Sequence, residues 1–207
     1  MLSKNDITSY IDRYNERLEK YGDDPKTLGW GGGSDRQNIR FITALQSASL
    51  KNYNLGSILD YGCGLGHLYG FLESNDAQVE YFGVDINSKL VTLAQNKYPN
   101  TKFLVTEDLT KSSIDFTPDL CIANGVFSAA IKDMDQLDYI QKSISALFDL
   151  STFCVSIDFM TDRVDFQADG AFHLAPEQAY AIGKSISDNV VLRDDYLEYE
   201  YMMYVYK

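Results

Sequence analysis

An apolar run that ends in spaced glycines, SILDYGCGLG at 57–66, constrains this chain more than any other stretch. SILDY (57–61) has the length and apolar character of a buried strand, and LGHLYGFLES beyond it reads as a helix. Between them Gly62, Gly64 and Gly66 lack the Cβ atoms that would hold a ligand away from the backbone. A nicotinamide-type turn needs G-x-G-x-x-G, whose third glycine lets helix and strand approach under a pyrophosphate. Counting from Gly62, that third position is His67, and the spacing is G-x-G-x-G with Asp60 two residues ahead. The phosphate-cradling GxxxxGKS/T does not occur. A turn of purely structural purpose is the competing reading.

The rest of the chain alternates around this turn. VEYFGVD (79–85) reads as a second strand, followed by the helix NSKLVTLAQNKY, which ends before Pro99. KFLV (102–105) and DLCIANG (119–125) read as the third and fourth strands. DMDQLDYIQKSISALFDL (133–150) repeats Met134, Leu137, Ile140, Ile144 and Leu147 at helical spacing, and STFCVSIDF (151–159) reads as the fifth strand. Pro176 opens a shorter helix at a favourable first-turn position. NVVLRDDYLEYEYMMYVYK has two β-rich runs split by Asp194-Asp195 with no helix between them, which predicts an antiparallel hairpin.

Two helical patterns precede the first strand. One runs over 6–21 with Ile7, Tyr10, Ile11, Tyr14, Leu18 and Tyr21 on one face. The other starts at a Ser34 or Asp35 cap and runs to about Ser49, after the glycine-rich link that holds Trp30. The expected fold is α/β: a three-layer sandwich with a mostly parallel seven-stranded sheet, helices on both faces and a C-terminal antiparallel β-hairpin. One domain is expected for 207 residues, as an N-terminal helical cap (1–50) and a core (57–207).

Acids recur at the strand ends. Asp85 closes the second strand, where a carboxylate can accept from both hydroxyls of a ribose; a cap for the helix beginning near Asn87 is the plainer role. Glu107-Asp108-Leu109 follows the third strand, either facing an adenine amino group or lying in a solvated loop. Three acidic positions off three successive strand ends form a nucleoside pocket at the switch point of such a sheet.

Charge narrows the partners. With 18 basic and 30 acidic residues the chain carries −12, and its basic residues are scattered singly. Extended nucleic acid is disfavoured, since phosphate neutralisation supplies much of that binding. Acidity serves solubility in the plainer reading and steers cationic substrates in the other. Cys63, Cys121 and Cys154 form no CxxC pair, and His67 and His173 lie far apart, so no metal is expected. Cysteines in apolar stretches, no long apolar run and a polar start (MLSKNDITSY) predict a cytoplasmic protein with reduced thiols.

ILDYGCGLG, VEYFGVDIN, KFLVTEDL and DLCIANGVFS, in that order and spacing, resemble the motifs of class I S-adenosylmethionine-dependent methyltransferases, over roughly 58–207. The terminal hairpin is similar to the reversed strand that ends their Rossmann-like fold. RYNERLEKYGDDPKTLGWG and LRDDYLEYEY also resemble small bacterial and phage members of the group. The resemblance implies S-adenosyl-L-methionine as cofactor. It puts Gly62, Cys63, Gly64 and Gly66 against its methionine and ribose portions and Asp60 near its ammonium. Asp85 would take the ribose hydroxyls, Ile86 would pack on the adenine, and Asp108 would take the adenine amino group with Leu109 beside it. Asn124 and Gly125 would fall beside the sulfonium, and Arg40 would reach the carboxylate or form a surface ion pair.

The chain departs from the family's base-amino enzymes, which carry Asp/Asn-Pro-Pro-Tyr/Phe/Trp after the fourth strand; here it reads Asn124-Gly125-Val126-Phe127. No metal-and-base arrangement of the catechol type occurs either. The implied reaction is in-line methyl transfer to an oxygen or nitrogen of a small molecule. A protein or RNA target, or a binding module without turnover, are the alternatives. His173, in GAFHLAP, is the candidate base and Asp158 a lesser one, with a hydrogen-bonded loop role as the other reading of His173. Trp30, flanked by glycines as a mobile lid would be, and Phe127 are the candidate substrate contacts; Tyr10 and Tyr14 are expected to pack the first helix onto the core. Tyrosines crowd the last residues, so alternate ones face solvent or a homodimer partner, unless β-propensity alone accounts for them.

Overall fold

The computed structural model describes residues 2–30, 33–110 and 112–207. A seven-stranded sheet is built from β1 (Ser57–Tyr61), β2 (Glu80–Asp85), β3 (Lys102–Val105), β4 (Leu120–Ala123), β5 (Cys154–Met160), β6 (Val190–Arg193) and β7 (Glu200–Tyr206). Their order is β3-β2-β1-β4-β5-β7-β6. The first five run parallel, and β7 lies antiparallel to both β5 and β6. Because β1 is flanked by β2 on one side and β4 on the other, chain order reverses there, and a crevice opens beyond the carboxyl ends of those strands.

Period-two alternation assigns the two faces. Leu59, Cys121, Val155, Ile157, Met203 and Val205 point to one side, packing with α5 (Gln136–Leu150) and α6 (Pro176–Ile186). Ile58, Leu120, Ile122, Cys154, Met202 and Tyr204 point to the other, with α2 (Gly33–Leu50) and α3 (His67–Ser74). α4 (Ser88–Lys97) packs on β2 and β3. The second predicted helix is thus a layer of the sandwich: Phe41, Ala44 and Ala48 share one cluster with the sheet.

α1 (Lys4–Tyr21) crosses the strand ends instead. Ser3 caps it by accepting from the Asp6 amide (3.0 Å), so it begins earlier than its apolar stripe. Asp6 in turn accepts from the Lys132 amide (2.9 Å), and the Tyr10 hydroxyl donates to the Ala129 carbonyl (3.0 Å).

Three of the terminal tyrosines are buried on β7, while Tyr199, before the strand, is exposed. β7 lies inside the sheet, with Tyr201, Tyr204 and Tyr206 buried. Their hydroxyls donate to Leu174 (3.0 Å), Thr43 (2.5 Å) and Ser47 (3.1 Å) carbonyls, tying β7 to α2 on one face and to the loop before α6 on the other. The tyrosine crowding therefore reflects a two-sided central strand. All three cysteines are buried and free. Among the described residues no helix is long and apolar enough to cross a membrane.

Candidate functional site

The turn after β1 is shaped by three glycines in the left-handed region: Gly62 (φ +80), Gly64 (φ +52) and Gly66 (φ +73). A Cβ on Gly62 would come within 2.6 Å of Val126 Cγ2, and one on Gly64 within 2.7 Å of Leu28 Cδ2. Those positions require glycine on both conformational and spatial grounds. The turn is pinned to β2: the Gly62 amide donates to the Val84 carbonyl (2.8 Å), and the Gly64 amide donates to Asp85 Oδ2 (2.9 Å). The other Asp85 oxygen accepts from the Asn87 amide (2.8 Å). Asn87, rather than Asp85, caps α4, accepting from the Lys89 and Leu90 amides. Burial raises the Asp85 carboxyl above the usual range, and the Asn87, Gly64 and Ile86 amides work against that.

Beside the turn lies a first cavity with about 920 Å³ of atom-free space, its solvent-facing mouth included. Its floor carries Asp60, which is buried and accepts from the Tyr81 hydroxyl (2.6 Å). Burial pushes the Asp60 carboxyl up to about 7, the Tyr81 bond opposing and Asp85 adding to the shift. Asn124, past the end of β4, also lines this cavity, and both its amide Nδ2 and Oδ1 are buried without a hydrogen-bond partner. Leaving such groups unmatched costs about 1–3 kcal/mol each, a cost that a polar group entering the cavity would offset. Tyr10, Tyr14 and Trp30 form the roof. At the rim His67 Nε2 is 2.8 Å from Asp23 Oδ1 and its Nδ1 is 3.1 Å from Gln37 Nε2, while Lys97 donates to Asp23 (2.7 Å).

A second, wider cavity adjoins the first, sharing Tyr14, Leu28, Trp30 and Gly125 as walls. Gly125 (φ +72) lies against the Trp30 ring, whose Cη2 would be 2.5 Å from a Cβ there. Its amide donates to Asp158 Oδ1 (2.5 Å), on β5. Asp158 is pushed up to about 7, first by burial and then by Glu200; the Gly125 amide and Arg40 hold it down. Arg40 is buried, bonded through both fork positions to Glu200 (Nε to Oε2, 2.6 Å), and stacks 4.2 Å from the Trp30 ring centroid.

The structure brings many of the sequence-predicted residues together. Asp60, Gly62, Cys63, Gly64, Asp85 and Ile86 line the first cavity, as do Trp30, Asn124 and Gly125. Others lie elsewhere. Gly66 is the N-cap of α3, against the Phe103 ring, and does not line the cavity. Asp108 is spent on its own loop, accepting from the Thr110 amide (3.0 Å) and the Ser113 hydroxyl, and Leu109 packs on the core. Phe127 is 1% exposed and stacked on Phe159, out of reach of a substrate. Arg40 faces the second cavity, its guanidinium held by Glu200. His173 lines neither cavity; its Nδ1 is 2.7 Å from the Thr161 carbonyl. Gly31 and Gly32, part of the expected Trp30 lid, lie outside the described residues. Tyr10 and Tyr14 line the cavity as well as packing the helix, and Gln37 joins them; an aromatic helical stripe looks the same in either role.

Known proteins share this fold and part of this sequence. Residues 59–141 match a family described as a methyltransferase domain. The chain is 26% identical over 159 residues to Putative methyltransferase Rv1506c of Mycobacterium tuberculosis, spanning 73% of this chain and 93% of that protein. Magnesium protoporphyrin IX methyltransferase of Synechocystis PCC 6803, solved with bound SAM, aligns at a TM-score of 0.67 and 19% identity, over 99% of this chain and 98% of that one. CalS10, an amino pentose methyltransferase from Micromonospora echinaspora, aligns at 0.64 and 11%, over 84% and 92%.

Proposed function

We propose, from the premise that the chain belongs to the class I S-adenosylmethionine-dependent methyltransferases, that it methylates an oxygen or nitrogen of a small molecule. S-adenosylmethionine is its cofactor. When bound, it supplies a methyl activated by positive sulfur: the acceptor's lone pair forms the new bond, and the S–C electrons stay on the sulfur of S-adenosylhomocysteine.

The residues present fit that group. The observation that carries the reading is Asn124, whose amide is buried, unpartnered and on the cavity wall. Asp60 and Asp85 put two buried carboxyls on the cavity wall, and a cationic ligand beside them would favour their ionised forms. Gly62 and Gly64, both in the left-handed region, fold the turn so that its backbone lines the cavity. In the assignment we favour, Asp60 faces the ammonium, Asp85 the ribose hydroxyls, and Ile86 the adenine. Gly125 is a wall of both cavities, and Asn124 beside it lines the first.

The second cavity would hold the acceptor. Asp158 lines it beside Gly125, with burial pushing its carboxyl up to about 7, whereas His173 lines neither cavity, so Asp158 suits the role of general base better. A net charge of −12 favours a small acceptor over a polyanion. Three buried free thiols favour the cytoplasm.

Asn124→Leu tests the reading. Removing two unmatched polar atoms should raise the thermal midpoint of the ligand-free protein, while S-adenosylmethionine binding by equilibrium dialysis weakens at least tenfold. A variant that binds as tightly as wild type would remove the support from Asn124.

A further inference from the structure

Four of the chain's six arginines, Arg13, Arg17, Arg36 and Arg40, line the second cavity. That is a concentration of cations in a chain of net charge −12. Arg40 is paired with Glu200 through Nε and Nη2 and stacked on Trp30, which leaves its Nη1 buried without a partner among the described residues. The other three are half-buried, and among the described residues no carboxylate lies within 4.0 Å of their guanidinium nitrogens. Acids outnumber bases 30 to 18, so unmatched arginines in one cavity are not what surface chance supplies.

Their placement is specific. Arg13 Nη1 lies 3.4 Å from the Gly170 carbonyl, a long contact that leaves most of its donors unused. Arg17 sits 5.6 Å from the Tyr14 ring centroid, with Nη1 2.9 Å from where a Cβ on Gly29 would be. Gly29 (φ +88) and Gly170 (φ +73) thus let these guanidinium groups lie on bare backbone. The acids lining the same cavity do not cancel them: Glu200 is held by Arg40, Asp158 accepts from Gly125, and Asp169 is exposed. A guanidinium fork matches the two oxygens of a carboxylate or phosphate.

We propose that the methyl acceptor is an oxyanion, a small molecule whose carboxylate or phosphate is held by Arg13, Arg17 and Arg36 while its nucleophile faces Gly125 and Asp158. This rests on the methyltransferase reading above. It makes the three arginines the specificity residues of the acceptor site.

The test uses protein saturated with S-adenosylhomocysteine and three probes of similar size: benzoate, phenyl phosphate and uncharged benzamide. Affinities are measured by calorimetry on wild type and on the triple variant R13Q/R17Q/R36Q. The wild type is expected to bind at least one anion tenfold or more tighter than benzamide, and the tighter anion identifies the group. The triple variant should lose that margin while keeping its S-adenosylhomocysteine affinity within twofold, which also shows that it is folded. Equal binding of anions and benzamide by wild type overturns the proposal. So does a variant that loses S-adenosylhomocysteine binding, because the arginines would then serve the cofactor carboxylate. Wild type that binds no S-adenosylhomocysteine overturns the cofactor reading along with it.

Discussion

Asp60 and Asp158 are buried carboxylates on the two halves of the site, and burial lifts both to about 7 from an ordinary 3.8. The folded chain therefore holds protons on them that the unfolded chain has released. Their contribution to stability is fully present below about pH 4 and is lost as pH rises through about 7. Asp60→Asn keeps an acceptor for Tyr81 and removes the titration. In urea unfolding without ligand it should be more stable than wild type by about 1 kcal/mol or more at pH 8, with a smaller gain at pH 5. S-adenosylhomocysteine, through its ammonium, should bind wild type more tightly as pH rises through 7 and bind Asp60→Asn with little dependence on pH there. A flat wild-type profile would remove Asp60 from that role. Asp60 and Asp85 were legible from sequence because each sits at a strand end beside a glycine turn, where backbone geometry fixes where the side chain goes. Asp158 as the favoured ionisable group was less so: its partners Gly125, Arg40 and Glu200 come from three separate parts of the chain.

At the scale of elements, the strands of the core declare themselves by alternation; SILDY at 57–61 is β1 to the residue. The boundaries that moved did so for local reasons. β5 begins at Cys154 because Ser151 caps α5 and the Thr152 and Phe153 amides are already donating to Pro118 and Asp119. The position of β7 between β5 and β6 could not be read from a hairpin pattern, which specifies pairing but not which strand meets the sheet. The meeting of Trp30 and Gly125, from two elements, invites a direct check. Gly125→Ala puts a side chain at φ +72 and a Cβ 2.5 Å from the Trp30 ring, costing about 1–3 kcal/mol. Trp30 is the only tryptophan, so its emission should shift with the mutation, and urea unfolding should report the lost stability. Unchanged emission with unchanged stability would mean that the two do not touch in solution.

The whole molecule is an acidic α/β sandwich whose chemistry lies at one edge, under a helix and a turn supplied by its first thirty residues. Its charge predicts no shift of a single-stranded RNA oligonucleotide in gel mobility assays at low salt, where a basic groove would retain it. A salt-sensitive shift would instead favour an RNA target. The central claim is that the crevice beyond β1, β2 and β4 holds S-adenosylmethionine, with Asp85 fixing both the ligand and the Gly64 amide. Calorimetric titration of wild type and Asp85→Ala with S-adenosylhomocysteine tests it most directly. The expected result is micromolar binding by wild type and at least tenfold weaker binding, about 1.4 kcal/mol, by the variant. No binding by wild type at millimolar ligand, or equal affinity in the two proteins, would contradict it.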